Sequence, residues 1–139
     1  MLSRGYHRSL FNALQFQRGV REIEHEDYAR NLELQAQVDT YLVLLLFVAF
    51  FRKTQKVSRT DRRWLRFHLF ASQDPHTYAD SNLRGRYLET TELAAHYTLF
   101  LDALNGARRV DEIRIFHALD YAEKKQRILA LMDAPKGGA

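Results

Sequence analysis

The chain has no cysteine, which excludes disulfides, thiolate metal sites and cysteine nucleophiles and fits a reducing or redox-neutral compartment. It has only two prolines, Pro75 and Pro135, and six glycines, so helix breakers are scarce and long helices are expected. A glycine-rich phosphate loop, a G-x-S-x-G elbow and an H-E-x-x-H pair are all absent, which removes the common nucleotide, hydrolase and metalloprotease signatures. Acidic residues are missing from residues 1–21, which carry Arg4, Arg8, Arg18 and Arg21. They are nearly missing from Arg52 to Arg66, where Asp61 stands alone against seven cations. No internal repeat is visible, and low complexity is confined to the tail "PKGGA".

What is present suffices for one domain with a modest core, since 139 residues do not divide readily into two. Apolar content of 46% and charged content of 27% argue against general disorder. The net charge of +4 hides a block pattern. An acid-free basic segment (1–21) precedes six acids against the single base Arg30 between Glu22 and Asp39, and the basic stretch follows the apolar run. Blocks of alternating sign suit a chain oriented against a charged surface.

The opening segment "MLSRGYHRSLFNALQFQRG" places Leu2, Tyr6, Leu10 and Leu14 at helical spacing among arginines. That composition is the one of a mitochondrial presequence, here expected as a retained, ordered arm, and equally of a basic amphipathic helix lying on a surface. Its apolar residues are dispersed, unlike the core of a secretory signal.

The periodicity predicts an all-α fold of about four helices. The first covers Ser3 to Gln17. The second starts near Glu22, with acids at its positive end, and runs toward Lys56. A short one covers Thr60 to Phe70, capped by Thr60 or Ser58. "SQDPHTYADSNLRG" reads as a loop with Gly85 in an unusual conformation. A third long helix spans Tyr87 to Leu104 with Leu88, Thr91, Ala95, Thr98 or Leu99, and Leu101 near one face. Gly106 is expected to take a left-handed cap. The last helix spans Val110 to Asp133 with Ile115, Leu119, Ala122, Gln126, Leu129 and Met132 in register, forming an antiparallel hairpin with the third. The organisation is thus an arm (1–21), a long helix (22–57), a basic linker and loop (58–86), a helical hairpin (87–134) and a tail (135–139).

The stretch Tyr41, Leu42, Val43, Leu44, Leu45, Leu46, Phe47, Val48, Ala49, Phe50, Phe51 has no charge or amide. At 1.5 Å per residue it covers ~16 Å, about half of a ~30 Å hydrocarbon core, a length typical of core or interfacial helices. Three features favour a single transmembrane pass inside a larger assembly. The run is apolar all round, a domain of this size has little room to enclose it, and Tyr41, Phe50, Phe51 and Trp64 border it like an aromatic belt. Asp39 at its border would reach the head groups or meet a donor from a partner.

Arg52, Lys53, Lys56, Arg59, Arg62, Arg63, Trp64 and Arg66 form a basic stretch with an aromatic, suited to anionic lipid head groups or to RNA phosphates. Glu22 and His25 have the i, i+3 spacing of a di-iron helix, but no second copy exists; Glu92 and His96 are four apart. The six histidines are scattered singly. No catalytic residue, cofactor or metal is expected.

A basic arm, one brief apolar span, a basic juxtamembrane stretch and a helical hairpin resemble the small accessory subunits of mitochondrial inner-membrane complexes, ATP synthase and the respiratory chain. The resemblance is one of layout. It implies a non-catalytic role in the mitochondrial inner membrane: bracing core subunits and contacting anionic phospholipid such as cardiolipin. The alternative is a soluble helical RNA-binding or ribosomal-type subunit that uses residues 52–66.

Overall fold

The computed structural model describes residues 4–72 and 80–134, with side chains for Arg21, 23–72 and 80–134. Among them are five α-helices and no strand: α1 (Arg4–Phe51), α2 (Arg59–Arg66), α3 (Ser81–Ala103), α4 (Gly106–His117) and α5 (Tyr121–Asp133). A π turn, Phe67–Ala71, extends α2.

α1 is one helix of 48 residues, where two were expected. Gly19 does not end it, because a single interior glycine costs only about 1 kcal/mol relative to alanine and no proline is near. The amphipathicity expected for the arm, and the tail 135–139, lie outside the described residues, as does half of the expected loop. The end of that loop is helical: Asp80 accepts from the Asn82 amide at 2.8 Å and starts α3, so Gly85 sits inside a helix.

The last expected helix is two. α4 ends at His117, and Asp120 opens α5 through a reciprocal box in which its carboxylate takes the Glu123 amide and Glu123 takes the Asp120 amide. Gly106 takes no left-handed conformation; it begins α4, which is capped by the Asn105 side chain on the Arg108 amide at 3.0 Å. Ser58 and Asp61 form a second reciprocal box at α2, in line with the expected Ser58 cap.

The packing is centred on α3, which lies against α1 and α5. α1 contributes Leu34, Val38, Tyr41 and Leu45, spaced by four, three and four residues. Leu34 and Val38 meet Leu93, Ala94, Tyr97 and Leu101 of α3, Phe116 of α4, and Tyr121 and Ile128 of α5. Each fully buried aliphatic side chain here contributes about 1.5–3 kcal/mol. Tyr97 and Phe116 stack with ring centroids 3.8 Å apart. A smaller cluster of Tyr41, Leu45 and Leu65 holds α2 to α1.

Two expected core faces are corrected. In α3 the buried residues are Thr90, Thr91, Leu93, Ala94, Tyr97, Thr98 and Leu101, so Thr91, Thr98 and Leu101 face inward as expected, while Leu88 and Leu99 are exposed and Ala95 is half-buried. Two of the three buried threonines are satisfied by their own helix: Thr98 donates to the Ala94 carbonyl at 2.9 Å and Thr90 to the Arg86 carbonyl at 3.1 Å, while the buried Thr91 hydroxyl has no partner among the described residues. In α4 and α5 the inward residues are Phe116, Tyr121, Lys124 and Ile128, while Ile115, Leu129 and Met132 are exposed.

Residues 23–51 of α1 are long and apolar enough to cross a membrane by length and composition. The run Tyr41–Phe51 is nevertheless divided. Tyr41 and Leu45 are buried, Leu42, Leu44, Val48 and Ala49 are half-buried, and Val43, Leu46, Phe47, Phe50 and Phe51 face outward.

Candidate functional site

The basic stretch splits into two sets on the folded chain. Arg62 and Arg66, four residues apart on α2, turn inward, and each donates to a different oxygen of Asp102 on α3. The Tyr41 hydroxyl of α1 donates to the same carboxylate. Asp102 therefore joins three helices. Its side chain is only 10% exposed, so the charges meet with little screening. Arg109 of α4 stands beside this cluster and donates to the carbonyls of Leu101 at 2.9 Å and Leu104 at 2.8 Å, closing the end of α3. Burial, then repulsion from Arg62, lowers its affinity for its proton.

The remaining cations face outward. Arg52 pairs with Asp61 at 2.7 Å, and this hydrogen bond is the main reason that the Asp61 carboxyl lies below its ordinary range. Lys53, Lys56, Arg59 and Arg63 are exposed and form no ion pair among the described residues. Trp64 lies among them, 60% exposed, with the His68 ring 4.2 Å away. Phe67, in the first turn of the π segment, is also exposed.

On α1 the outward residues Leu46, Phe47, Phe50 and Phe51 reach this same end of the molecule; Phe50 is 80% exposed and Phe51 77%. Phe51 and Trp64 line one shallow groove with Val48 and Leu65, so the aromatic residues of α1 and α2 share a surface. Sequence reasoning identified both stretches but treated them as consecutive zones along a line. Folding the chain back at residues 52–58 places them side by side.

Other polar clusters are internally satisfied. Arg127 forms a two-pronged pair with Glu112, at 2.7 and 2.6 Å, and Tyr97 donates to the same carboxylate at 3.1 Å. Glu89 accepts from Tyr121 and, at 2.8 Å, from Lys125. Lys124 is buried; its ammonium donates to Asn31 at 2.6 Å and lies 5.2 Å from the Phe116 ring centre. Asp39 accepts from Gln35 of its own helix at 2.8 Å. No group of three metal-ligating side chains occurs among the described residues, and Glu92 and His96 stand as a single pair at 3.9 Å. The Glu22 side chain lies outside the described residues.

Chemically, the outward surface offers aromatic and aliphatic side chains next to four cations free of carboxylate partners. That combination can enter the boundary of an anionic bilayer, with each nearby Lys or Arg contributing about 1 kcal/mol of attraction. No protein-family model, curated protein or solved structure matches the chain.

Proposed function

We propose that this protein is a non-catalytic accessory subunit of a mitochondrial inner-membrane complex, docked on anionic lipid through the end of α1 and α2. The observation that carries the reading is that Phe51 of α1 and Trp64 of α2 line one groove, with Phe67 and Arg63 beside Trp64, while Leu46, Phe47 and Phe50 at the end of α1 and Lys53, Lys56 and Arg59 after it are exposed. Phenylalanines would enter the acyl boundary, Trp64 would sit at head-group depth, and the cations would meet lipid phosphates.

The placement is interfacial. The inner face of α1 is engaged by α3 and α5, and the helices packed on that side carry exposed charges such as Arg108, Asp111 and Arg114 of α4 and Glu123 of α5. Charges of that kind stay out of hydrocarbon, which leaves the outward face of α1 to meet lipid. The presequence-like composition of residues 1–21 supports the mitochondrial assignment, and the layout supports membership of ATP synthase or a respiratory-chain complex.

Flotation with vesicles tests this directly. Vesicles containing cardiolipin should carry the protein, zwitterionic vesicles should carry much less, and rising salt should release it. Phe50→Ser with Phe51→Ser, and separately Arg59→Glu with Arg63→Glu, should each abolish flotation while helix content stays unchanged. Carbonate should extract the protein, as expected for surface binding. Preference for RNA over vesicles, with a steep salt dependence, would support the ribosomal-type alternative and sink the lipid reading.

A further inference from the structure

Between α1 and α4 runs a second groove, of about 560 Å³. Its walls are Leu42, Leu45 and Ala49 of α1, Val57 of the connecting turn and Ile113 of α4. Lys56, Arg62 and Arg109 line it as well. The volume falls in the range of small-molecule sites, and the lining has their usual composition of mostly apolar walls with a few convergent polar groups.

The charges lining the groove do not balance. Arg62 and Arg66 share the one carboxylate of Asp102. Arg109 has only carbonyl oxygens as partners and is close enough to Arg62 to be repelled by it. Lys56 makes no ion pair among the described residues. Lys56, Arg62 and Arg109 thus line an apolar trough, and the one acid paired with Arg62, Asp102, is shared with Arg66. An anion seated between Arg62 and Arg109 would relieve the repulsion in a partly desolvated place, where charge-assisted hydrogen bonds are strong.

We propose that this groove binds a single-chain amphiphile with an anionic head, the acyl chain along α1 and the head between Lys56, Arg62 and Arg109. Leu46, on the lip of the groove, is 71% exposed and belongs also to the outward aromatic surface, which gives a chain a path from one to the other. The site stands independently of the membrane reading, because Phe50, Phe51 and Trp64 take no part in it. A fatty carboxylate and a lysophospholipid phosphate share this chemistry.

Calorimetry with monomeric oleate and with oleoyl lysophosphatidate separates the two sources. One molecule of one or the other should bind per chain, and the tighter arm identifies the head. Oleoyl lysophosphatidylcholine, whose head carries no net charge, should bind at least tenfold more weakly. Ala49→Trp fills the trough and should weaken the preferred probe at least tenfold. Lys56→Glu, at an exposed position, should weaken it severalfold with circular dichroism unchanged, and decides the matter if Ala49→Trp fails to fold. The vesicle-defective Phe50→Ser, Phe51→Ser protein should keep full affinity, so the two readings fail separately. No saturable one-to-one binding of either anion, equal affinity for the choline lipid, equal affinity for inorganic phosphate alone, or affinity unchanged in Lys56→Glu would each overturn the proposal.

Discussion

The hydroxyl of Tyr41 on α1 and the carboxylate of Asp102 on α3 are hydrogen-bonded across 61 residues of sequence, at the point where Arg62 and Arg66 also arrive. Only the carboxylate balances the two guanidiniums.

Asp102→Ala should therefore be far more costly than Tyr41→Phe. Removing the acid strands two cations whose side chains are 19% and 16% exposed, at a cost of about 3 kcal/mol and about 10 °C in melting temperature. Losing the hydroxyl alone should cost about 1 kcal/mol. Urea unfolding of both variants checks this. Equal losses would mean that the Tyr41 ring, and not the ionic clasp, holds α2 in place.

Stability should fall at both ends of the pH scale. Hydrogen bonds from Lys125 and then from Tyr121 depress the Glu89 carboxyl. The stability it contributes is fully present above the ordinary glutamate value of about 4.3 and is lost as pH falls through the lower folded value. Burial, then the adjoining Glu112 and Glu89 carboxylates, raise Tyr97 and Tyr121. Their contribution is present below the ordinary tyrosine value of about 10 and is lost as pH rises beyond it. Melting temperature against pH should show both declines. Glu89→Gln should flatten the acid limb; an unchanged limb would place the acid sensitivity elsewhere.

The turn after α1 holds the one described non-glycine residue with positive φ, Gln55 at 53°, whose amide donates to the Arg52 carbonyl at 2.9 Å. Left-handed backbone costs roughly 1–2 kcal/mol for a residue with a Cβ, partly offset in glycine by its freer unfolded chain. Gln55→Gly should stabilise by about 0.5–1 kcal/mol, and Gln55→Val should destabilise by at least about 1 kcal/mol. A destabilised Gln55→Gly in chemical denaturation would show that the Gln55 side chain itself contributes.

Helicity was legible in the scarcity of proline and the long apolar periods, but the boundaries were not. Asp120 and Glu123 carry the spacing of a reciprocal cap in plain view. The period running from Ile115 through Leu119 to Ala122 masked it, because an apolar repeat can continue across a break. The inward rows of α3 and α5 escaped for a related reason. Thr90 and Lys124 are polar by composition, yet the Thr90 hydroxyl bonds within its own helix and Lys124 finds Asn31 on another. In the basic stretch, nothing local distinguishes Arg62 and Arg66 from Arg59 and Arg63. Their partner Asp102 lies 40 and 36 residues away, and only packing decides which arginines reach it.

The uninterrupted course of α1 has a geometric consequence. Twenty-seven residues, Arg4 to Arg30, precede Asn31, the first described α1 residue hydrogen-bonded to another helix, and they extend the axis by about 40 Å. A helix of that kind works as a gauge: every residue inserted or deleted advances its far end by about 1.5 Å and rotates it by about 100°. Removing seven residues would shorten the gauge by about 10 Å yet leave its bearing within about 20°, whereas removing two would swing the first turns to nearly the opposite side. Reach and azimuth at the far end are thereby written into the residue count of a single helix.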